Sequence, residues 1–213
     1  MSSRRSSGED AGGQRSAKRK PRKRKPLDES SLRDLALSYV ARFATSGAKL
    51  EAYLVRKIRE RGVVGADDCD PDEEPPRLDV RALVEQFVEL GYVDDAAYAK
   101  SRSRDLMARG YGARRVDQAL YAAGIDEDVR EDQTPSEAAA RRAAILLARK
   151  RGFGPFSRKE RDPKLREKQI AAMLRAGHDF AAARAIVGAE NEEEIDQWLA
   201  EAEEEETGKM GLW

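Results

Sequence analysis

Several groups of residues in this 213-residue sequence have types that could do chemistry. Asp94 and Asp95 are adjacent carboxylates of the kind that share acid–base work, yet they stand where a helix needs a cap and have no histidine or metal partner nearby in sequence. Gly110-Tyr-Gly112 and Gly152-Phe-Gly154 carry glycines spaced like the start of a phosphate-cradling loop. Neither continues as Gly-x-Gly-x-x-Gly or ends in Gly-Lys-Ser/Thr, and no strand precedes them, so both read as helix breaks. His178, the sole histidine, follows Gly177 at a turn and lacks a nucleophile or an orienting pair, which makes it a polar surface or capping group. Cys69 is the sole cysteine, so it can form no intramolecular disulfide, and with one histidine it makes no dedicated zinc site. No catalytic, cofactor-binding or metal-binding residue is assigned, and an enzyme that hydrolyses or uses nucleotides would lack every constellation it needs.

Polyanion binding is different, because its residue types are abundant. Arg102, Arg104, Arg109, Arg114 and Arg115 place five guanidinium groups within fourteen residues, a repulsive arrangement unless acids or a polyanionic partner offset it. Asp105 and Asp117 can answer part of that charge, so the face is either partner-binding or merely solvated. A second cluster holds Arg149, Lys150 and Arg151 with Arg158, Lys159, Arg161, Lys164 and Lys168. Tyr92, Tyr98 and Tyr111 could stack on bases or pack into turns and core. The candidate contacts to a protein or DNA partner are therefore Arg102, Arg104, Arg109, Arg114, Arg115, Arg149, Lys150, Arg151, Lys164 and Lys168.

The net charge of zero conceals segregation. Arg15 to Lys25 carries eight Lys or Arg, and Ala189 to Glu206 carries ten acids and no base. With the acidic run Asp67 to Glu74 set aside, the body between the tails is basic, a field that attracts nucleic acid. At 38% charged and 6% aromatic residues, small helical units in series fit better than one large core. No apolar run follows the basic start, so neither a secretory signal nor a membrane span is expected, and the cytoplasm is the natural compartment.

Helical periodicity supplies the elements that must position these charges. A first helix from Leu32 repeats Leu35, Ala36, Tyr39 and Phe43; a second carries Leu50, Tyr53, Leu54 and Ile58 inward to a left-handed stop at Gly62. Asp79 caps a third with Val80, Leu83, Val84 and Phe87. Asp94 or Asp95 then caps a helix bearing Ala96, Ala99, Ser103 and Leu106, and Val116, Ala119, Leu120 and Ala123 line the next. Thr134-Pro135-Ser136-Glu137 reads as a capping box with proline at the first helical position, opening a helix with Ala140, Ala143, Ala144 and Leu147 inward. Asp162-Pro163 opens another with Ile170, Met173 and Leu174, and Asp179 caps a last short one. Aligning Gly62, Gly124 and Gly177 puts Ile58, Leu120 and Met173 in register, with Leu54 matching Val116 one turn earlier and Gln169 breaking that match. Ile195, Trp198, Leu199 and Ala202 then mark an acidic amphipathic helix whose glutamates sit badly at the negative end of its own dipole, so disorder is expected beyond Thr207.

The expectation is an all-α fold, an elongated array of three tandem three-helix repeats with flexible charged tails. Its parts are a disordered basic arm at 1–30, repeats at 31–91 with an acidic loop at 65–77, at 92–133 and at 134–188, and an acidic helix and tail at 189–213.

Residues Gly91 to Ile125, GYVDDAAYAKSRSRDLMARGYGARRVDQALYAAGI, resemble the second repeat of the regulatory protein RecX family, with Val93 in place of the usual leucine. The resemblance extends to Ser46-Gly-Ala-Lys-Leu-Glu and to Lys168-Gln-Ile-Ala-Ala-Met-Leu-Arg-Ala-Gly-His-Asp-Phe, covering roughly residues 32–188. It implies an all-helical bacterial protein of the cytoplasm that is not an enzyme. Such a protein would lie in the helical groove of the RecA recombinase filament on single-stranded DNA and limit its growth or ATP-driven strand exchange, in recombination, DNA repair and the SOS response. RecA is then the partner, with single- or double-stranded DNA contact, no membrane, no cofactor, and a monomeric state. The alternative is a freestanding basic helical DNA-binding protein. The basic arm, the acidic loop and the glutamate-rich end depart from the family pattern, and the acidic end could fold over a basic face as an autoinhibitor; deletion of residues 189–213 would then strengthen DNA binding.

Overall fold

Side-chain caps start eight of the ten helices found among the described residues, which in this computed structural model are 25–66, 76–158, 160 and 162–210. The helices are α1 (Glu29–Val40), α2 (Gly47–Arg61), α3 (Val80–Glu89), α4 (Asp95–Ala108), α5 (Ala113–Tyr121), α6 (Glu127–Glu131), α7 (Glu137–Arg151), α8 (Pro163–Arg175), α9 (Phe180–Gly188) and α10 (Glu192–Met210), with a 3-10 turn at Gly154–Phe156. The arm before Lys25, Cys69 and most of the acidic loop, Lys159, Arg161 and the last three residues lie outside the described residues.

Buried apolar side chains fall into three clusters, one for each successive trio of helices. Leu32, Leu50, Leu54 and Phe87 centre the first, from α1 to α3. Ala99, Leu106, Val116 and Leu120 centre the second, from α4 to α6. Ala144, Leu147, Met173 and Ile186 centre the third, from α7 to α9, which α10 completes through Ile195.

Several boundaries differ from the periodicity. Helix α1 begins at Glu29 because the Asp28 carboxylate accepts the Ser31 amide at 2.8 Å. Leu27 is fully buried, and its backbone exchanges hydrogen bonds with Gly62 O and Val64 N, both at 2.9 Å. The basic arm therefore stops short of residue 30, since Leu27 belongs to the first core. Phe43 lies past the end of α1 and is 56% exposed. Gly62 ends α2 at φ 76, ψ 174, an extended conformation open essentially to glycine rather than the left-handed helical one, and it sends Val63 alongside Leu27. At α7, Ser136 rather than Thr134 is the cap and Pro135 precedes the helix, so Glu137 stands at the first helical position and forms no capping box; the Ala138 amide is met instead by Glu206 at 2.8 Å.

Hydrogen bonds and close backbone contacts join the trios. At the first joint the Ser46 hydroxyl caps α2 and donates to Ala123 O at 2.5 Å, while Asp95 accepts the Gly47 amide at 2.9 Å. Asp94 is thus the cap of α4, at 2.8 Å from the Ala97 amide, and Asp95 is the tie between trios. Lys49 adds a contact to the Tyr98 hydroxyl.

At the second joint two helix ends cap each other. Helix α5 has no side-chain cap; its first amides reach the carbonyls that end α8, Gly112 N to Ala176 O at 3.0 Å and Arg114 N to Gly177 O at 3.2 Å. Helix ends present orphan groups of opposite partial charge, so this head-to-tail arrangement satisfies both. A Cβ on Gly112 would overlap the Gly177 carbonyl, and one on Gly177 (φ 94) would overlap the Arg115 amide. His178 lies under the joint, 3% exposed, with Nε2 3.0 Å from Gly110 O. His178 is thus not the surface or capping group that its turn position suggests, because its enclosure comes from a segment 68 positions away.

Two outcomes follow from this joint. Gly112→Ala is expected to cost about 2 kcal/mol or more, read by urea denaturation, through forced backbone displacement; Gly208→Ala, with open space around it, serves as the neutral or slightly stabilising control. Burial holds the His178 imidazole below its ordinary 6.5, partly opposed by the Gly110 carbonyl and Asp179. Below that ordinary value the unfolded chain takes up a proton that the folded chain resists, so the stability contribution present above pH 6.5 is lost as pH falls. Thermal melts from pH 8 to pH 5 should show this decline, and His178→Gln should remove it; an identical slope in the variant would exclude His178 as its source.

Candidate nucleic-acid interface

Helix α7 ends in Arg149-Lys150-Arg151, where cations oppose the negative end of the helix dipole. Gly152 then turns the chain through Phe153 and the 3-10 turn to Ser157 and Arg158, and α8 starts from its Asp162 cap. Between these elements lies a groove of about 530 Å³ whose walls include Arg149, Arg151, Arg158 and Lys168 together with the rings of Phe153 and Phe156. No carboxylate is among its lining residues within the described part of the chain. Gln169 is buried beneath it with Oε1 accepting the Gly154 amide at 3.1 Å, which is why that position departs from the apolar register of Leu54 and Val116.

The groove gathers three of the sequence-predicted residues, Arg149, Arg151 and Lys168. Lys150 and Lys164 are exposed outside its lining. Phe153 and Phe156 were not singled out as binding residues. Their signal is the pair of aromatics bracketed by cations in Arg151-Gly-Phe-Gly-Pro-Phe-Ser-Arg158.

On the second trio, Arg102 and Arg109 converge on Asp105 at 3.3 and 3.0 Å. Asp117 is taken by Arg130 and so answers none of the cluster. Arg104, Arg114 and Arg115 are exposed and carry no ion pair among the described residues. The backbone of Arg114 is held in the second joint, which fixes where its side chain leaves the surface. Tyr98 and Tyr111 pack against the second core, and Tyr111 also touches the third; Tyr92 is 53% exposed beside Phe87.

Helix α10 runs antiparallel along α7 and meets its cations. Glu203 accepts from Arg142 at 2.8 Å, Arg141 bonds the Trp198 carbonyl and lies 4.6 Å from its ring centroid, and Arg149 reaches Glu192 at 3.5 Å and Asp196 at 3.7 Å. The same Arg149 guanidinium stands 5.1 Å from the centroid of Phe156. The helix continues to Met210, past the expected stop at Thr207, because its late glutamates face the positive N-terminus of α7.

Ile195 and Ala202 are buried, so deleting residues 189–213 would open the third core as well as remove charge. The sharper test is Glu192→Gln with Asp196→Asn. This pair is expected to raise affinity for a soluble polyanion such as heparin about two- to fivefold at low salt, as for loss of exposed ion pairs, with the gain fading as salt rises. Titration calorimetry across ionic strength checks it.

Comparison with known proteins agrees with the all-α fold. The family model described as RecX, second three-helix domain, matches residues 94–132. The chain is 29% identical over 178 residues to the regulatory protein RecX of Myxococcus xanthus, covering 79% of this chain and 90% of that protein. It is 32% identical over 154 residues to the regulatory protein RecX of Agrobacterium fabrum, covering 70% and 77% respectively. In fold it is similar to the crystal structure of RecX from Lactobacillus salivarius, with a TM-score of 0.56 at 18% identity over 79% of this chain and 96% of that one. A second crystal structure, of a regulatory protein RecX, gives a TM-score of 0.53 at 17% identity over 76% and 72%. With an all-α architecture and relatives at this identity and coverage, the chain belongs to the RecX family of regulatory proteins.

Proposed function

We propose that this protein binds the RecA filament on single-stranded DNA and inhibits its recombinase and ATPase activity, as a cytoplasmic regulator of recombination and DNA repair within the SOS response. The observation that carries the reading is a pair of cationic surfaces, one on the second trio and one on the third, tied across a joint made of backbone hydrogen bonds. Surfaces held at a fixed separation suit a polymer that repeats its own binding sites, and several weak contacts then combine through effective concentration. The family membership established above supports the regulatory role, and the reading requires no chemical step from the chain itself.

Filament length and ATP turnover of RecA on single-stranded DNA, titrated with the protein, test the proposal. Inhibition is expected at protein levels well below those that coat the DNA. Inhibition that sets in only when the DNA is saturated would favour a freestanding DNA-binding protein instead. Replacing Arg102, Arg104, Arg114 and Arg115 together by alanine is expected to weaken inhibition about tenfold or more, and full inhibition by that variant would remove the second-trio face from the mechanism.

A further inference from the structure

We propose that the groove between the end of α7, the 3-10 turn and the start of α8 is a binding site for unpaired nucleic acid, in which a base lies against the phenyl rings and its flanking phosphates meet Arg151, Arg158 and Lys168. Its volume of about 530 Å³ falls within the roughly 300–1,000 Å³ of sites that enclose small organic groups. Phe153 and Phe156 pack against the third core while also lining the groove, so both rings are rooted and need little ordering on binding. Rings rooted beside cations are the chemistry of single-strand recognition, since every base has a face to stack and each nucleotide brings a phosphate. An acidic peptide would use the cations alone. Duplex DNA keeps its bases stacked inside and would leave the rings idle.

Arg149 makes the site adjustable. It stands over Phe156 and is shared with Glu192 and Asp196 on α10, so an incoming phosphate competes with two carboxylates for one guanidinium. The acidic helix thereby sets how strongly the groove holds a strand. This site rests on the filament reading for its biological setting, because the strand it would hold is the one on which RecA assembles.

The experiment uses the full chain without RecA, so that this site and the filament reading fail separately. Fluorescence anisotropy compares a labelled oligothymidylate with an abasic oligomer of equal charge and a duplex of equal length, with poly-glutamate as competitor. The oligothymidylate is expected to bind at least about fivefold more tightly than the abasic oligomer, the contribution of one stacked base. Phe156→Leu, which keeps apolar bulk, should abolish that preference without changing the salt dependence. Arg151→Ala with Lys168→Ala, both on exposed positions, should weaken binding about tenfold at low salt and reduce the slope of log affinity against log salt by about 1.4, two single-strand phosphate contacts. Preference for bases that survives Phe156→Leu in a folded variant overturns the stacking site. Wild-type affinity and slope in the double-alanine variant overturn the groove as the phosphate site, and displacement by poly-glutamate with no preference for bases assigns it to an acidic protein segment instead. RecA ATPase inhibition by the same variants, measured apart, reports on the filament reading.

Discussion

The reciprocal capping of α5 and α8 is the constraint on which the relative placement of the two basic surfaces depends. A helix N-terminus normally looks to a side chain or to water for its free amides, and a C-terminus does the same for its carbonyls. Here the start of α5 and the end of α8 meet those needs together, at 3.0 and 3.2 Å. The approach is so close that neither Gly112 nor Gly177 has room for a Cβ. Buried backbone groups that lost these partners would be left in a largely dehydrated seam beside His178, so sliding or opening the joint is disfavoured by desolvation as well as by lost contacts. The arginines of α5 and the groove beside α8 consequently share one frame.

A second organising element is charge, arranged by helix direction. The antiparallel run of α10 along α7 sets acid against the positive end of α7 and leaves the cations of its negative end only partly answered. Glutamates unfavourable within their own helix become favourable across the pair. The exposed ion pairs contribute little stability individually, and the seam is held mainly by Ile195, Ala202 and the half-buried Trp198. Charge here sets the local potential, and apolar packing sets the geometry.

Much of this was legible in the sequence. Helix starts at Asp79, Asp162 and Asp179 follow from a carboxylate preceding a periodic apolar stripe, and the closing glycines Gly62, Gly124 and Gly177 all take positive φ. Leu27 was missed because it stands alone behind a basic run, yet it occupies the position before the Asp28 cap, five residues from Leu32, the register of a hydrophobic staple. Helix α6 has five residues and no buried side chain, so it offered no periodicity to find. His178 and Asp95 were misread or left open for a different reason: each owes its role to a partner on another trio, and local spacing carries no information about that partner. The candidate arginines were visible as a cluster, but their sorting into paired Arg102 and Arg109 and outward Arg104, Arg114 and Arg115 depended on which acids the fold brought near.

The borrowed cap of α5 also bears on how such a chain can be made and rearranged. During synthesis, α5 leaves the ribosome more than fifty residues ahead of the carbonyls that finish it, so its first turn stays unsatisfied by protein until the following trio has formed. The repeats are consequently not interchangeable bricks. A duplication or transfer of the middle trio without the end of α8 would leave α5 without its beginning, and excision of the middle trio would strip the Ala176 and Gly177 carbonyls of their donors.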